Sequence, residues 1–534
     1  MREVDAIVVG AGFSGLYAVH RLHGRGLSVA GFEAAEGPGG TWYWNRYPGA
    51  RCDIESLYYS YSWDVDLLHE WEWSERYAAQ PEILAYLEHV ADRHDLRRHF
   101  RFGTRVTSAV FDEDAERWEV VTDAGERVRG RHLVLGVGLL SQRATPAIEG
   151  LDDFAGEVLH TGAWPHHPVD LTGRRVGVIG TGSSGIQAIP HLAEQAAHLT
   201  VFQRTPSFSI PARNGAPDPE AVRRRREHAA EVTAQVRSSS YGILLDVPTQ
   251  SALDVSEAER TATYHRRWES GTLTGILQAY TDLVRNAEAN ATASDFIRDR
   301  IAEIVEDPDT AEDLSPRTYA YGTKRPCLDT GYYATYNRDD VTLVNLRRTP
   351  ITRITPTGVR TAGPDGEVTH ELDTLVLATG FDAQTGPLLA LDPVGRDGLR
   401  LSEHWAHGPR SFLGLMVAGF PNLYTVCGPG SPSALSNAVV SIEQHVEWVD
   451  DLIAHLDGTA MSTAEPTSEA EETWSAHVAE VAGHTLYPQT DSWLMGANVP
   501  GKPRVFLPYI GGVGAYRARC DAIAADGYPG LRLT

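Results

Sequence analysis

Apolar positions in this chain gather in short unbroken runs, set between stretches of helical spacing and polar connections. Ala6-Ile7-Val8-Val9 and Val176-Gly177-Val178-Ile179 are the cleanest, and neither contains a polar break. Runs of that length without alternation predict strands covered on both faces, as in a parallel sheet. Each is followed by glycines and then by a helix-like segment, and the next strand of each unit is read at 27–32 and 199–202. Farther along the first unit, 81–94 predicts a helix, and 105–111, 118–122 and 132–137 predict strands. The second unit, 165–211, stops before its sheet is complete, so its missing strands are placed at 341–346 and 373–378. Residues 214–319 are charged, strand-poor and helix-spaced, which predicts a helical insertion. Pro421-Asn422-Leu423-Tyr424-Thr425-Val426 is strand-like again, and Gly428-Pro429-Gly430 follows it.

The glycines after the two cleanest runs share one spacing: Gly10, Gly12 and Gly15, then Gly180, Gly182 and Gly185. Such a triplet gives a tight turn, close backbone approach to a pyrophosphate and close packing of helix on strand, with the helix N-terminus directed at the phosphates. Phe13 and Ser14 in the first turn, and Thr181, Ser183 and Ser184 in the second, are therefore candidate cofactor contacts. The ends of the second strands distinguish the two nucleotides. Glu33 can accept hydrogen bonds from both adenosine ribose hydroxyls and would repel a 2′-phosphate, which indicates FAD. Arg204 and Thr205 occupy the matching place in the second unit, where a guanidinium can hold a phosphate bidentately, which indicates NADPH. The expected fold is α/β, with two Rossmann-like dinucleotide-binding domains and a helical insertion. Residues 1–140 and 382–534 are assigned to the FAD-binding domain, 141–213 and 320–381 to the NADP-binding domain, and 214–319 to the insertion.

Composition narrows the partners. The formal net charge of −24 over 534 residues disfavours nucleic acid and anionic membranes. No apolar run approaches the ~20 residues that span a bilayer, and a cytoplasmic enzyme is expected. Arg223-Arg224-Arg225-Arg226, followed by Glu227 and Glu231, is read as the solvated face of a helix. The four cysteines, Cys52, Cys327, Cys427 and Cys520, form no close pair; this argues against a disulfide framework, a metal site and a redox-active disulfide.

Three further stretches carry the most specific signal. The first is the aromatic, Gly-rich loop from Gly39 and Gly40 through Thr41-Trp42-Tyr43-Trp44 to Cys52-Asp53. The second is Phe154-Ala155-Gly156-Glu157-Val158-Leu159-His160-Thr161-Gly162-Ala163-Trp164-Pro165, just before the second glycine triplet, and the third is Ala378-Thr379-Gly380-Phe381-Asp382. With the two triplets these resemble the type I Baeyer-Villiger monooxygenases, whose fingerprint FxGxxxHxxxWP lies between two dinucleotide motifs. Trp164 and Pro165 separate that pattern from N- and S-hydroxylating flavin monooxygenases, which are the alternative reading. Ser433-Ala434-Leu435-Ser436-Asn437 and Gly501-Lys502-Pro503-Arg504 look most like the branch containing phenylacetone and steroid monooxygenases.

The resemblance implies an enzyme that uses FAD, NADPH and O₂ to insert one oxygen atom next to a ketone carbonyl, giving an ester or lactone through a flavin C4a-peroxide. It assigns Arg325, in Lys324-Arg325-Pro326, as the cation that stabilises the peroxide, with Asp53 as its partner. Lys324 joins Arg204 and Thr205 around the 2′-phosphate, and Trp493 lies near the nicotinamide-side ribose. Gly40, Thr41, Trp42, Tyr59 and Val106 fall on the flavin side, and His160 is expected to act at a joint between domains. Gly136-Val137-Gly138 stands where relatives commonly carry Ala-Thr-Gly, and so lacks a hydroxyl. No protein partner is implied.

Overall fold

The computed structural model describes residues 1–534, and its framework is two sheets. In the seven-stranded sheet, Phe100–Arg101, Val29–Phe32, Arg2–Val9 and Arg127–Leu135 lie side by side and parallel, and Arg117–Thr122 and Val106–Asp112 continue the sheet as an antiparallel meander. Leu423–Thr425 joins in parallel on Arg127–Leu135, so the chain does return to the first sheet late in the sequence. The second sheet is wholly parallel, in the order Val341–Asn345, His198–Gln203, Arg175–Ile179, Thr374–Leu377 and Glu157–His160. Both strands expected to complete it from beyond the insertion are present. Residues 6–8 and 176–179 are buried, because both faces of each sheet are covered. A fingerprint helix packs on one face of each, while Ile7 packs with Phe111 and Trp118 on the other face of the first, and Ile179 with Ile354 and Val359 on the other face of the second.

The 214–319 stretch is helical and contains no strand. Four of its five helices begin where the sequence supplies a side-chain cap, the exception being Ala229–Ser238. Asp218 precedes Pro219–Glu227, Ser256 precedes Glu257–Ser270, Asn286 precedes Ala287–Ile304 and Asp307 precedes Pro308–Leu314, and each cap side chain accepts a backbone N–H of its helix. This satisfies donors that the first turn would otherwise leave open. The insertion is tied to the first unit through Arg237, which pairs with Glu443 (3.2 Å) and Glu447 (2.8 Å) of the long helix Ala438–Thr459. That helix also packs on Phe13–Gly24, where Asp450 takes both Arg21 and Arg25.

Two features differ from the sequence reading. The fingerprint segment contributes a strand, Glu157–His160, at the edge of the second sheet, where the Phe-Gly-His pattern gives no strand signal. A separate antiparallel sheet, Ile351–Thr355, Gly358–Gly363 and Gly366–Glu371, was not expected. Its last strand is largely exposed, so no buried face imposes an apolar alternation. A third correction concerns Arg225, which is buried rather than solvated.

Candidate active site

Two loops far apart in sequence meet at one ion pair. Arg51, held by Glu75 (2.7 Å) and the Tyr77 carbonyl (2.8 Å), fixes the end of the aromatic loop and places Asp53. Arg325 lies just before the short strand Cys327–Asp329, which pairs with Ser209–Pro211. Its Nε and Nη2 donate to the two Asp53 carboxylate oxygens at 2.7 and 2.8 Å, and Nη1 donates to the Ala434 carbonyl at 2.7 Å. Three of the five guanidinium N–H donors are thus committed and two remain free to face a reactant. About a fifth of each side chain is exposed. Burial pulls the Arg325 pKa down, but the Asp53 carboxylate more than reverses this and holds it above its ordinary value. The charge is therefore permanent. Cys52 and Cys327 lie beside the pair as free thiols, and burial pushes both upward, Cys327 to about 12.

An aromatic wall leads from this pair to the first glycine turn. The Trp42 indole N–H donates to the Tyr59 hydroxyl at 3.3 Å, and Tyr59 meets the ring of Phe13, the first residue of its helix, edge-on at 5.2 Å. Gly12 caps that helix without any side-chain acceptor, as Gly182 does for Ser183–Gln195. Four insertion helices carry side-chain caps; the two fingerprint helices keep their leading N–H groups open for an anion. Gly40 lies against Gly12, Thr41 is exposed at the start of the short helix Thr41–Trp44, and Val106 is half-buried at the edge of the sheet. Glu33 is buried and accepts from the N–H groups of Ala11 (2.6 Å) and Ala35 (2.8 Å). Burial raises its pKa, and those two bonds oppose the rise. The donor-rich turn, the closely placed glycines and the buried carboxylate at the strand end fit the dinucleotide of a flavin.

The second turn carries cations where the first carries a carboxylate. Arg204 is exposed, and Lys324 is half-buried with its ammonium 4.9 Å from the centre of the Tyr319 ring. Burial lowers the Lys324 pKa, and the charges of Arg204 and Arg347 lower it further. Arg347, which sequence reasoning missed, donates to the hydroxyls of Thr205 (3.4 Å) and Thr318 (3.3 Å). None of the three forms an ion pair, although the chain carries 24 excess negative charges. Their local repulsion suits a phosphate. Thr181 donates to the Thr205 carbonyl at 3.2 Å, and Ser183 lies 3.2 Å from the Cys327 sulfur, close to Arg325. Ser184 is half-buried in the first turn of the helix.

Gln187 joins the two cradles. It accepts from the Tyr47 hydroxyl (2.8 Å) and donates to the Arg51 carbonyl (3.1 Å), so the aromatic loop of the first unit rests on the fingerprint helix of the second. Trp493, half-buried on the turn Trp493–Met495, packs against the small cluster of Ala434, Tyr487 and Leu494, whose Ala434 carbonyl holds Arg325. His160 lies away from the ion pair, at the end of its edge strand. Its Nδ1 accepts from the Gly162 N–H (2.9 Å), and burial lowers its pKa. Asp382, at the crossing back to the first sheet, is paired with Lys502 at 2.5 Å.

Comparison with known proteins gives this arrangement a family. Residues 4–226 match the sequence model of the "Flavin-binding monooxygenase-like" family. A Baeyer-Villiger monooxygenase of Pseudooceanicola batsensis is 42% identical over 99% of this chain and 96% of its own length. A phenazine N-monooxygenase of Lysobacter antibioticus is 43% identical, covering 99% and 97%. The solved structure of an oxidized steroid monooxygenase bound to NADP superposes with a TM-score of 0.94 at 51% identity, covering 99% of both chains. The chain belongs to the flavin-binding monooxygenases of the Baeyer-Villiger type. It is an FAD- and NADPH-dependent oxidoreductase with the α/β architecture of two dinucleotide-binding units. No helix is long and apolar enough to cross a membrane.

Proposed function

We propose that the Arg325–Asp53 pair is the chemical centre at which this enzyme converts a ketone into an ester or lactone. Bound FAD, once reduced by NADPH, supplies activated dioxygen. The protein's task is then charge control. Arg325 places a permanent positive charge, with two uncommitted N–H donors, where negative charge develops on oxygen and then on the attacked carbonyl. Asp53 fixes the plane of the guanidinium and offsets part of its charge, and the Ala434 carbonyl fixes its third edge. Trp42, Phe13 and Tyr59 wall the flavin. Gly10, Gly12, Ser14, Gly15, Glu33, Gly40, Thr41 and Val106 hold the rest of FAD. Thr181, Gly182, Ser183, Ser184 and Gly185 receive the NADPH pyrophosphate, with Arg204, Thr205 and Lys324 on its 2′-phosphate and Trp493 on the nicotinamide-side ribose.

The observation that carries this reading is the bidentate ion pair beside a wall shared by both cradles. Arg325→Ala is expected to keep its flavin and its bleaching by NADPH while ester formation falls about 10²- to 10³-fold. Product formation near the wild-type rate rejects the assignment. A panel of cyclic, aryl-alkyl and steroid ketones, with products identified by mass, defines the substrate. N-oxygenation of a soft nucleophile is a second reading, favoured by the likeness to a phenazine N-monooxygenase, and heteroarenes in the same panel test it. The domain division follows the sheets: 1–140 with 382–534 around FAD, 141–213 with 320–381 around NADPH, and 214–319 as the insertion. We place the enzyme in the cytoplasm, where NADPH is available and its four free buried thiols stay reduced.

A further inference from the structure

The arginine run at 223–226 behaves unevenly. Arg223 and Arg224 are exposed, but Arg225 is only 7% exposed and lines a cavity of about 310 Å³ between the insertion and residues 57–86. Trp71, Trp73 and Tyr86 wall it, with ring centres 5.7, 5.3 and 5.1 Å apart, and Leu68 and Pro219 complete the apolar lining. The guanidinium is held in place: Nη1 donates to the Ala229 carbonyl (3.2 Å) and to the Thr233 hydroxyl (2.9 Å). Nε is buried without an acceptor, and Nη2 is neither buried nor bonded.

No carboxylate pairs with this cation. Glu72 at the cavity wall is taken by Arg226 at 3.0 Å. Glu443, whose field reaches Arg225, is held by Ser62 and by Arg237. The Trp71 indole N–H is also buried without an acceptor. Buried charges are normally paired, and a cleft of this size with aromatic walls and a convergent polar group has the character of a small-molecule site. What it lacks is an anion with an apolar body.

We propose that this cavity is a second ligand site, which binds an arylalkyl carboxylate with the carboxylate on Arg225 and the apolar part against Trp71, Trp73 and Tyr86. Inorganic phosphate would leave the aromatic walls wet, and a neutral ligand would leave the guanidinium unpaired. None of these residues belongs to the Arg325 centre or to the phosphate cradle, so the site can fill while both cofactors are bound.

The test is calorimetric titration of the FAD- and NADP⁺-loaded enzyme with phenylacetate, against phenylacetamide as the neutral isostere. Saturable binding of phenylacetate is expected, roughly tenfold or more tighter than the amide. Arg225→Gln should weaken phenylacetate roughly tenfold or more. Leu68→Trp, which fills the cleft and leaves the guanidinium in place, should abolish binding, and both variants should keep their flavin and their NADPH oxidation. If Arg225→Gln fails to fold, Leu68→Trp decides alone. The absence of saturable binding to wild type, equal affinity for the amide, or unchanged binding by Leu68→Trp overturns the proposal.

Discussion

The two glycine cradles share a backbone plan and differ in what covers them. At the first glycine of each, φ is positive (101° at Gly10, 112° at Gly180), and a Cβ would lie 2.4 Å from the carbonyl oxygen of Gly136 or Ala378. At the third, a Cβ would meet the first glycine's oxygen, at 1.7 Å from Gly15 and 2.3 Å from Gly185. The second glycine separates them. A Cβ on Gly12 would lie 3.3 Å from the Cα of Gly40, whereas nothing lies within 4 Å of one on Gly182. A buried carboxylate ends the strand beside the covered cradle, and an exposed arginine ends the strand beside the open one. On the function proposed above, one backbone solution would serve two exchange regimes: the covered cradle would keep FAD as a resident group, and the open one would let NADPH come and go as a reactant.

Substitutions at matched positions sharpen this contrast. Gly15→Ala is expected to have the largest effect, since its Cβ has no room at all: protein that can be recovered should lack flavin, read from its absorbance. Arg204→Ala and Lys324→Ala should keep FAD but raise KM for NADPH about 10- to 100-fold, the worth of a charge-assisted hydrogen bond, with little change for NADH. An equal loss with both coenzymes would mean that the cation cluster does not read the phosphate. Gly182→Ala should fold with full flavin content and raise KM for NADPH roughly tenfold, because the new methyl enters space reserved for the pyrophosphate.

Lys324 adds a pH dependence. Its contribution is complete while it is protonated, below its depressed pKa, and is lost as pH rises through that value. In free enzyme, kcat/KM for NADPH should thus fall at a pH below the ordinary lysine range, and Lys324→Arg should remove that limb. Arg347→Ala should have the smallest effect, about two- to fivefold in KM, because its Nη2 is already committed to the Thr205 and Thr318 hydroxyls and it lies off the strand end that Arg204 occupies. A change as large as that of Arg204→Ala would make Arg347 an equal partner.

Much of this plan is written locally in the chain. Strands buried on both faces appear as unbroken apolar runs, and the glycine triplets mark their turns, so the central strands of both sheets are legible in the sequence, whereas the edge strands Phe100–Arg101 and Glu157–His160 are not. The exposed strand Gly366–Glu371 left no such trace. Nor did Arg347, which is one of two adjacent arginines and gains meaning only from Thr205 and Lys324, brought to it by the fold. Asp53 and Arg325 are 272 residues apart, and no periodicity joins them; family resemblance alone pointed to the pair. Gln187 gave no signal, since an amide on a helix becomes a bridge only when the aromatic loop lands on it. Arg225 was misread because composition treats four consecutive arginines as alike, whereas a helix turns one of them inward.

The four cysteines acquire a further meaning beside such chemistry. All are buried, and burial pushes each thiol upward in pKa, Cys427 and Cys520 to about 12 and Cys52 higher still. Oxidants attack the thiolate, and that form is suppressed at every one of these positions. An enzyme that consumes dioxygen thereby keeps its own sulfur in the least oxidisable state, including Cys52 and Cys327 beside the Arg325–Asp53 pair.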